Sequence, residues 1–360
     1  MSEPQAAQPI AVMVVDDSAI VRGLITRTLK SDSRIDVVAS CSNGEMAVTQ
    51  AARRSLDVII LDIEMPVMDG LTALPKLQQA NPGARIIMAS TLTQRNAAVS
   101  LRAMTLGAAD YIAKPTTDRL NASEEFHRDL IQKVIALGQT KRPRQSSEAS
   151  SRPPATPRIA ARGGMMRPPR IIAIGSSTGG PQALLTLLGP LAPMVTCPIV
   201  IAQHMPATFT TVLAQHIERA GQRPCAEAAD GMEIRPGRIY LAPGDYHFEV
   251  ARRGAGFIAR LSQTPPLNFC RPSVDPLFHS VAQLFGAESC AVMLTGMGSD
   301  GRGGAKAIAA TGAPVIAQDE ATSVVWGMPG AVAQAGICSA ILPLPKIAGH
   351  LAGLFERAAA

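Results

Sequence analysis

Residues 171–180 read IIAIGSSTGG. An apolar run meets Gly175, two serines, a threonine and paired glycines. A buried strand that breaks into a glycine-rich turn and opens a helix is the start of a βα unit, and its turn lies where parallel sheets gather ligands. Two chemistries suit such a turn. Its backbone amides cradle a phosphate, or it lifts one serine up as a nucleophile. The pattern GSSTG fits G-x-S-x-G with Ser177 at the centre. Neither G-x-G-x-x-G nor G-K-[ST] is present, so the phosphate reading lacks its usual signature. Both readings stand at this level.

The rhythm around the stretch sets the fold class. Downstream, CPIVIA, RIYLA, CAVMLTG and APVIAQ read as further strands separated by helical stretches. Upstream, IAVMVV, IDVVAS, DVIIL, RIIMAS and DYIA alternate with SAIVRGLITRTLK, GEMAVTQAARR, LTALPKLQQA and AAVSLRAMTLG, which have helical spacing. Strand–helix alternation implies parallel sheets covered on both faces by right-handed crossovers. The expected architecture is α/β, with two doubly wound parallel-sheet domains. Two domains also suit 360 residues, too many for one core. Aromatics at 3% against 47% hydrophobic residues point the same way, because aliphatic cores favour α/β layers.

A segment of different character divides the halves. Between Gln139 and Arg170 lie eight basic residues and one acid, Glu148, so this segment carries more than the chain's whole formal excess of +6. It is rich in proline, lacks apolar periodicity and reads as a flexible linker over 139–169. With the excess located there, neither flanking domain has the charge of a nucleic-acid binder. The six cysteines are scattered without a CxxC pair, as expected of reduced residues in a cytoplasmic protein. The opening MSEPQAAQPIAV lacks signal-peptide features. No run approaches the ~20 apolar residues of a membrane span, so no membrane insertion is expected.

Strand ends in the first half collect charge. Asp16 and Asp17 follow the first strand, Asp62 the third, and Lys114 the fifth. Single acids after strands also serve as helix caps. Three converging carboxylates, however, repel unless a cation joins them. Mg²⁺ and a lysine ammonium would meet that need, leaving one carboxylate to attack a phosphoryl group. On VVDDS, LDIEMPVMDG and AKP, this half resembles the receiver domain of two-component response regulators. The resemblance implies a (βα)5 fold over 9–138, with Asp62 as phosphoacceptor. It further implies Mg²⁺ held by Asp16, Asp17, Asp62 and the backbone carbonyl of Glu64. Lys114 would support the phosphorylation site, with Ser90 as the hydroxyl that shifts toward the phosphoryl group and Tyr111 as the aromatic that follows it. Thr91 adjoins Ser90 and offers a second hydroxyl.

Of the chain's six histidines, His127, His216, His279 and His350 sit in helix-like stretches. His204 instead follows the apolar run CPIVIAQ, and Asp300 lies in TGMGSDG after CAVML. Ser177, His204 and Asp300 thus share the ligand edge of the expected sheet. In a serine hydrolase His204 takes the Ser177 proton, Asp300 orients the imidazole, and backbone N–H groups near Thr178 and Met297 receive the oxyanion. Asp245, His247 and Asp319 also follow strands and remain rivals. GSSTGGP, QHMP, LAPGD, RPSVDPLFHSVA, LTGMGSDG and VVWGMP are similar to the catalytic domain of the CheB family of chemotaxis protein-glutamate methylesterases. That similarity implies a Rossmann-like methylesterase domain over 170–358 and the triad Ser177, His204 and Asp300. Ser176 stands where the family commonly has alanine, and its hydroxyl competes for the role of nucleophile.

Together the resemblances imply a phosphorylation-activated hydrolase that demethylates receptor glutamates, releasing methanol, and deamidates certain receptor glutamines. The implied partners are methylated chemoreceptors and the chemotaxis histidine kinase, with no nucleic acid and no cofactor for the ester reaction. The alternative from another class is a response regulator whose second domain binds without hydrolysing.

Overall fold

The computed structural model describes residues 8–91, 93–114, 120–139 and 168–356. The chain divides into two compact units, Met1–Ser146 and Ser147–Ala360. Nearly all of the expected linker, residues 140–167, lies outside the described residues.

The first unit runs β1 (Ile10–Val15), α1 (Ala19–Lys30), β2 (Ile35–Cys41), α2 (Gly44–Ala51), β3 (Val58–Asp62), α3 (Gly70–Ala80), β4 (Arg85–Ser90), α4 (Gln94–Thr105), β5 (Asp110–Ala113) and α5 (Leu120–Gln139). All its strand pairs are parallel, in the order β2-β1-β3-β4-β5. Central strand β3 is buried at every residue, which its sequence VIILD permits because aliphatic side chains cover both faces. Side chains of Ser18, Asn43, Asp69 and Thr93 cap α1 to α4, each accepting a backbone N–H of the first turn. The order reverses between β1 and β3, and the crevice beyond their carboxyl ends is the ligand position of such sheets.

The second unit runs β6 (Ile171–Ser176), α6 (Gly180–Leu191), β7 (Ile199–Gln203), α7 (Ala207–Gly221), β8 (Cys225–Glu227), β9 (Ile239–Leu241), β10 (His247–Arg253), β11 (Gly256–Ser262), α8 (Val274–Phe285), β12 (Ser289–Met293), α9 (Arg302–Ala310), β13 (Val315–Gln318), α10 (Met328–Gln334), β14 (Ala340–Leu342) and α11 (Leu344–Glu356). Its main sheet has seven parallel strands in the order β14-β13-β12-β6-β7-β9-β8. β6 is the hinge of this topology: β7 and β9 extend to one side, then the chain returns to place β12 on the other. The turn after β6 therefore has the ends of β7 and β12 as its two neighbours.

Four strands of this unit go beyond the sequence reading. β8 and β14 have three residues each, too short to show a period. β10 and β11 form a separate antiparallel hairpin. Its inner face sends Phe248, Val250 and Ala259 into one core with Val274, Phe278, Met293 and Ile308.

Candidate functional site

Ser177 follows β6 directly, in a turn that ends at Gly179 with φ +74 and starts α6. Its backbone N–H donates to Thr295 O at 3.1 Å, tying the turn to the loop after β12. That loop comes in very close. A Cβ on Gly296 would lie 2.4 Å from Met328 Sδ and 2.9 Å from Ser177 Cβ, so any side chain there forces one of them to shift. Ser176 is fully buried, and its hydroxyl donates to Gln203 Oε1 at 2.6 Å. The Gln203 amide in turn donates to Ser177 O and His204 O at 3.0 and 3.1 Å. One buried glutamine thereby staples the ends of β6 and β7. The half-buried Ser177 keeps its hydroxyl without a hydrogen bond among the described residues, as do the backbone N–H groups of Thr178 and Met297.

His204 follows β7, and its Nε2 lies 2.7 Å from Asp300 Oδ2, in the loop between β12 and α9. The Asp300 side chain is 3% exposed and the His204 side chain 12%. Burial opposes the charge on Asp300. The His204 contact, the Ser273 hydroxyl and the Val274 N–H outweigh it and hold the carboxyl well below the usual carboxylate range. Burial likewise opposes a charged imidazole, yet the Cys270 sulfur and Asp300 raise His204 to about 10. Cys270 Sγ sits 3.3 Å from the other ring nitrogen, Nδ1. The arrangement favours an imidazolium, the form that follows proton capture.

In the first unit, Asp16, Asp17 and Asp62 each bring one carboxylate oxygen to within 4.8 Å of the others. Lys114 Nζ bridges two of them, 2.6 Å from Asp16 Oδ2 and 2.6 Å from Asp62 Oδ1. Burial pushes the Asp62 carboxyl up to about 6, while the Lys114 ammonium pulls it down. Burial also works against the Lys114 charge, but its two carboxylate partners raise its pKa above the ordinary value. Three carboxylates against one ammonium leave an acidic, oxygen-rich cluster, a donor set that fits Mg²⁺. Glu64 is exposed two residues beyond Asp62, and its side chain is not part of the cluster. Gly70 is required beside Asp62, because a Cβ there would lie 2.1 Å from Asp62 O. Ser90 is buried and accepts from the Ser100 hydroxyl of α4 at 3.1 Å, whereas Thr91 is exposed and accepts from Asn96. Tyr111 is buried under Lys133, whose ammonium lies 4.9 Å from the ring centroid.

Residues 172–351 match the family model for CheB methylesterase, and residues 12–123 match that for the response regulator receiver domain. A protein-glutamate methylesterase/protein-glutamine glutaminase of Paramagnetospirillum magneticum is 54% identical over 376 residues, covering 99% of each chain. The chain belongs to the CheB methylesterase family. A relative of the same printed name from Rhodospirillum rubrum is 54% identical, covering 95% of this chain and 94% of that protein. The crystal structure of the Thermotoga maritima CheB methylesterase catalytic domain is 39% identical with a TM-score of 0.51, covering 52% of this chain and 98% of that one.

Within this family frame the rival residues have structural occupations. His247 is buried; its Nδ1 accepts from Ser273 N–H at 3.2 Å and its Nε2 faces Pro265 O at 3.2 Å, so both ring nitrogens are used. Asp245 pairs with Arg271. Asp319 accepts from the Thr322 N–H and hydroxyl. Nothing in the sequence singles out Gln203, Asn268 or Ser273, which hold the Ser177 turn and the His204–Asp300 pair. Their partners are 26 to 32 residues away, and no local period marks such contacts.

Proposed function

We propose that the second unit hydrolyses methyl esters of glutamate side chains on chemoreceptors, releasing methanol, and deamidates receptor glutamines by the same route. Ser177 is the nucleophile, His204 the base and Asp300 the group that orients and stabilises the imidazole. The supporting observation is the buried His204–Asp300 pair at the end of β7, the strand next to the one that leads into the Ser177 turn, while the competing Ser176 hydroxyl is committed to Gln203.

Since Asp300 takes Nε2, Nδ1 is the atom left to receive the Ser177 proton. In the resting arrangement it faces Cys270, so this contact gives way as Ser177 attacks the ester carbonyl. The N–H groups of Thr178 and Met297, both without partners among the described residues, receive the oxyanion. His204 then returns the proton to the departing methoxide, and water cleaves the acyl-enzyme by the reverse path. A glutamine loses ammonia in place of methanol. Because the base acts only when neutral, the rate rises with pH as His204 loses its proton.

The first unit is proposed to accept a phosphoryl group on Asp62 from the chemotaxis histidine kinase. Asp16, Asp17, Asp62 and the Glu64 carbonyl would hold Mg²⁺, which when bound neutralises phosphoryl oxygens. Lys114 already stands between Asp16 and Asp62 to share that charge. Ser90 follows the phosphoryl group and Tyr111 follows Ser90, shifting the unit toward an active state. Unphosphorylated, the receiver domain of 9–138 keeps the methylesterase domain of 170–358 less active. The proposed location is the cytoplasm; no helix of the described residues is long and apolar enough to cross a membrane.

The deciding experiment is methanol release from methylated receptor by wild type and Ser177→Ala, each with and without a phosphodonor. Expected are a loss of at least about 10³-fold in Ser177→Ala and stimulation of the wild type by the donor. Full activity in Ser177→Ala overturns the triad. No release by any form, from a receptor that a related methylesterase demethylates, favours a binding module. Lower activity on deleting the receiver overturns simple inhibition.

A further inference from the structure

Asp300 is held by more than its histidine. Oδ1 accepts from Ser273 Oγ at 2.7 Å and from Asn268 Nδ2 at 2.8 Å, and Oδ2 accepts from Val274 N–H at 2.6 Å. All three donors come from the short segment that leads into α8. Ser273 occupies the N-cap of α8, where a serine hydroxyl ordinarily accepts a first-turn N–H. Here it makes no capping bond, and the buried hydroxyl is turned onto Asp300 instead.

Asn268 reaches Asp300 from a strained turn. Leu267 and Cys270 exchange both backbone hydrogen bonds, at 3.1 and 2.8 Å, around the two residues between them. Asn268 has φ +51 and Phe269 φ +63. Asparagine tolerates that region and a bulky aromatic does so poorly, so the turn stores strain at the site. The Asn268 amide also donates to Asp275 Oδ2 at 3.2 Å, and Asp275 Oδ1 accepts from Gly304 N–H at 2.7 Å. The turn is thereby moored to the first turns of α8 and α9.

We propose that Asn268 and Ser273 are positioning residues for the esterase reaction, a clasp on Asp300 Oδ1 that keeps Oδ2 aimed at His204. The inference rests on the hydrolase reading above. With both donors in place, the carboxylate cannot rotate about its own axis without breaking the buried bond from Ser273 and the part-buried one from Asn268. They also draw charge toward Oδ1, which tempers the hold of Oδ2 on the imidazolium. The titratable groups around His204 are Asp300 on Nε2 and Cys270 on Nδ1. Beyond them lie Asp275, held by Asn268, and the Arg271–Asp245 pair, whose charges offset each other.

The test uses the full-length chain and methylated receptor in membrane vesicles. kcat and KM for methanol release are followed against pH, and the His204 ring is titrated by NMR. The variants are Asn268→Gly, Ser273→Ala and Ser273→Thr. Glycine keeps the left-handed turn while removing the amide, and threonine restores the hydroxyl. Loss of either donor is expected to lower kcat on the order of 10- to 100-fold with little change in KM. It also concentrates charge on Oδ2, so the acid limb of the profile and the His204 titration both move to higher pH. Ser273→Thr recovers most of the activity. An unchanged His204 titration and kcat in natively melting Asn268→Gly and Ser273→Ala overturn the clasp, as does an effect confined to KM. Methanol release by Ser177→Ala overturns the hydrolase reading instead, and the His204 titration still decides whether the clasp acts on the imidazole.

Discussion

The two units place their chemistry alike and charge it oppositely. In each, the residues of the site stand at the carboxyl ends of strands in a parallel sheet. The first unit gathers like charges, three carboxylates relieved by a single ammonium, and burial lifts Asp62 toward neutrality. The second pairs opposite charges and surrounds its carboxylate with donors, so that Asp300 stays ionised although buried. The difference is what each site awaits. An acidic cluster invites a cation and the phosphoryl group that comes with it. A charge-satisfied pair next to the strand of the Ser177 turn, whose hydroxyl and neighbouring amides make no hydrogen bond among the described residues, suits a neutral ester, whose negative charge develops only in the transition state.

Three substitutions would break or sharpen that contrast. The largest effect is expected from Asp62→Asn, which removes the proposed nucleophile of the like-charge site. No phosphoryl group should be incorporated from a small-molecule phosphodonor, and Mg²⁺ should no longer raise the melting temperature of the first unit as in wild type. Binding at a hundredfold excess over Kd would stabilise the wild type by about 2.7 kcal/mol. Persistent labelling with phosphate would place acceptance elsewhere.

Gly296→Ala comes next. The added methyl meets Met328 and Ser177, so the hydroxyl must shift, and kcat for methanol release should fall about 10²-fold. Unchanged kinetics would mean that the opposite-charge site tolerates movement, contrary to its dense bonding.

The smallest effect belongs to Ser176→Ala. It strands Gln203 Oε1 in the core, costing about 1–3 kcal/mol of stability in denaturant melts. kcat should stay close to wild type, since the staple amide keeps both of its carbonyl partners. Loss of activity comparable to that of Ser177→Ala would instead make Ser176 the nucleophile.

Legibility in the sequence followed the range of each interaction. The strands of the first unit and the longer main-sheet strands of the second announce themselves through apolar runs, which are local. Asp16, Asp62, Ser177 and His204 stand out because each ends or directly follows such a run. Asp300 was accessible by the same logic, through a glycine-rich loop. The β10–β11 hairpin was not, since its inner face becomes meaningful only against α8 and the sheet. Gln203, Asn268 and Ser273 look like ordinary polar residues of turns and strand ends. Their significance lies in partners brought together by the fold.

The amino-acid order by itself determined the two α/β units, the sheet edge on which chemistry collects and the family. Apolar periodicity and strand-end residues are properties of short segments and survive reading one residue at a time. Only the tertiary structure decided which serine hydroxyl is free, since Ser176 and Ser177 differ by one position in sequence and by a buried glutamine in space. It also decided which nitrogen of His204 faces Asp300, and which side chains hold that carboxylate. These are questions of direction and distance between distant segments, and packing settles them.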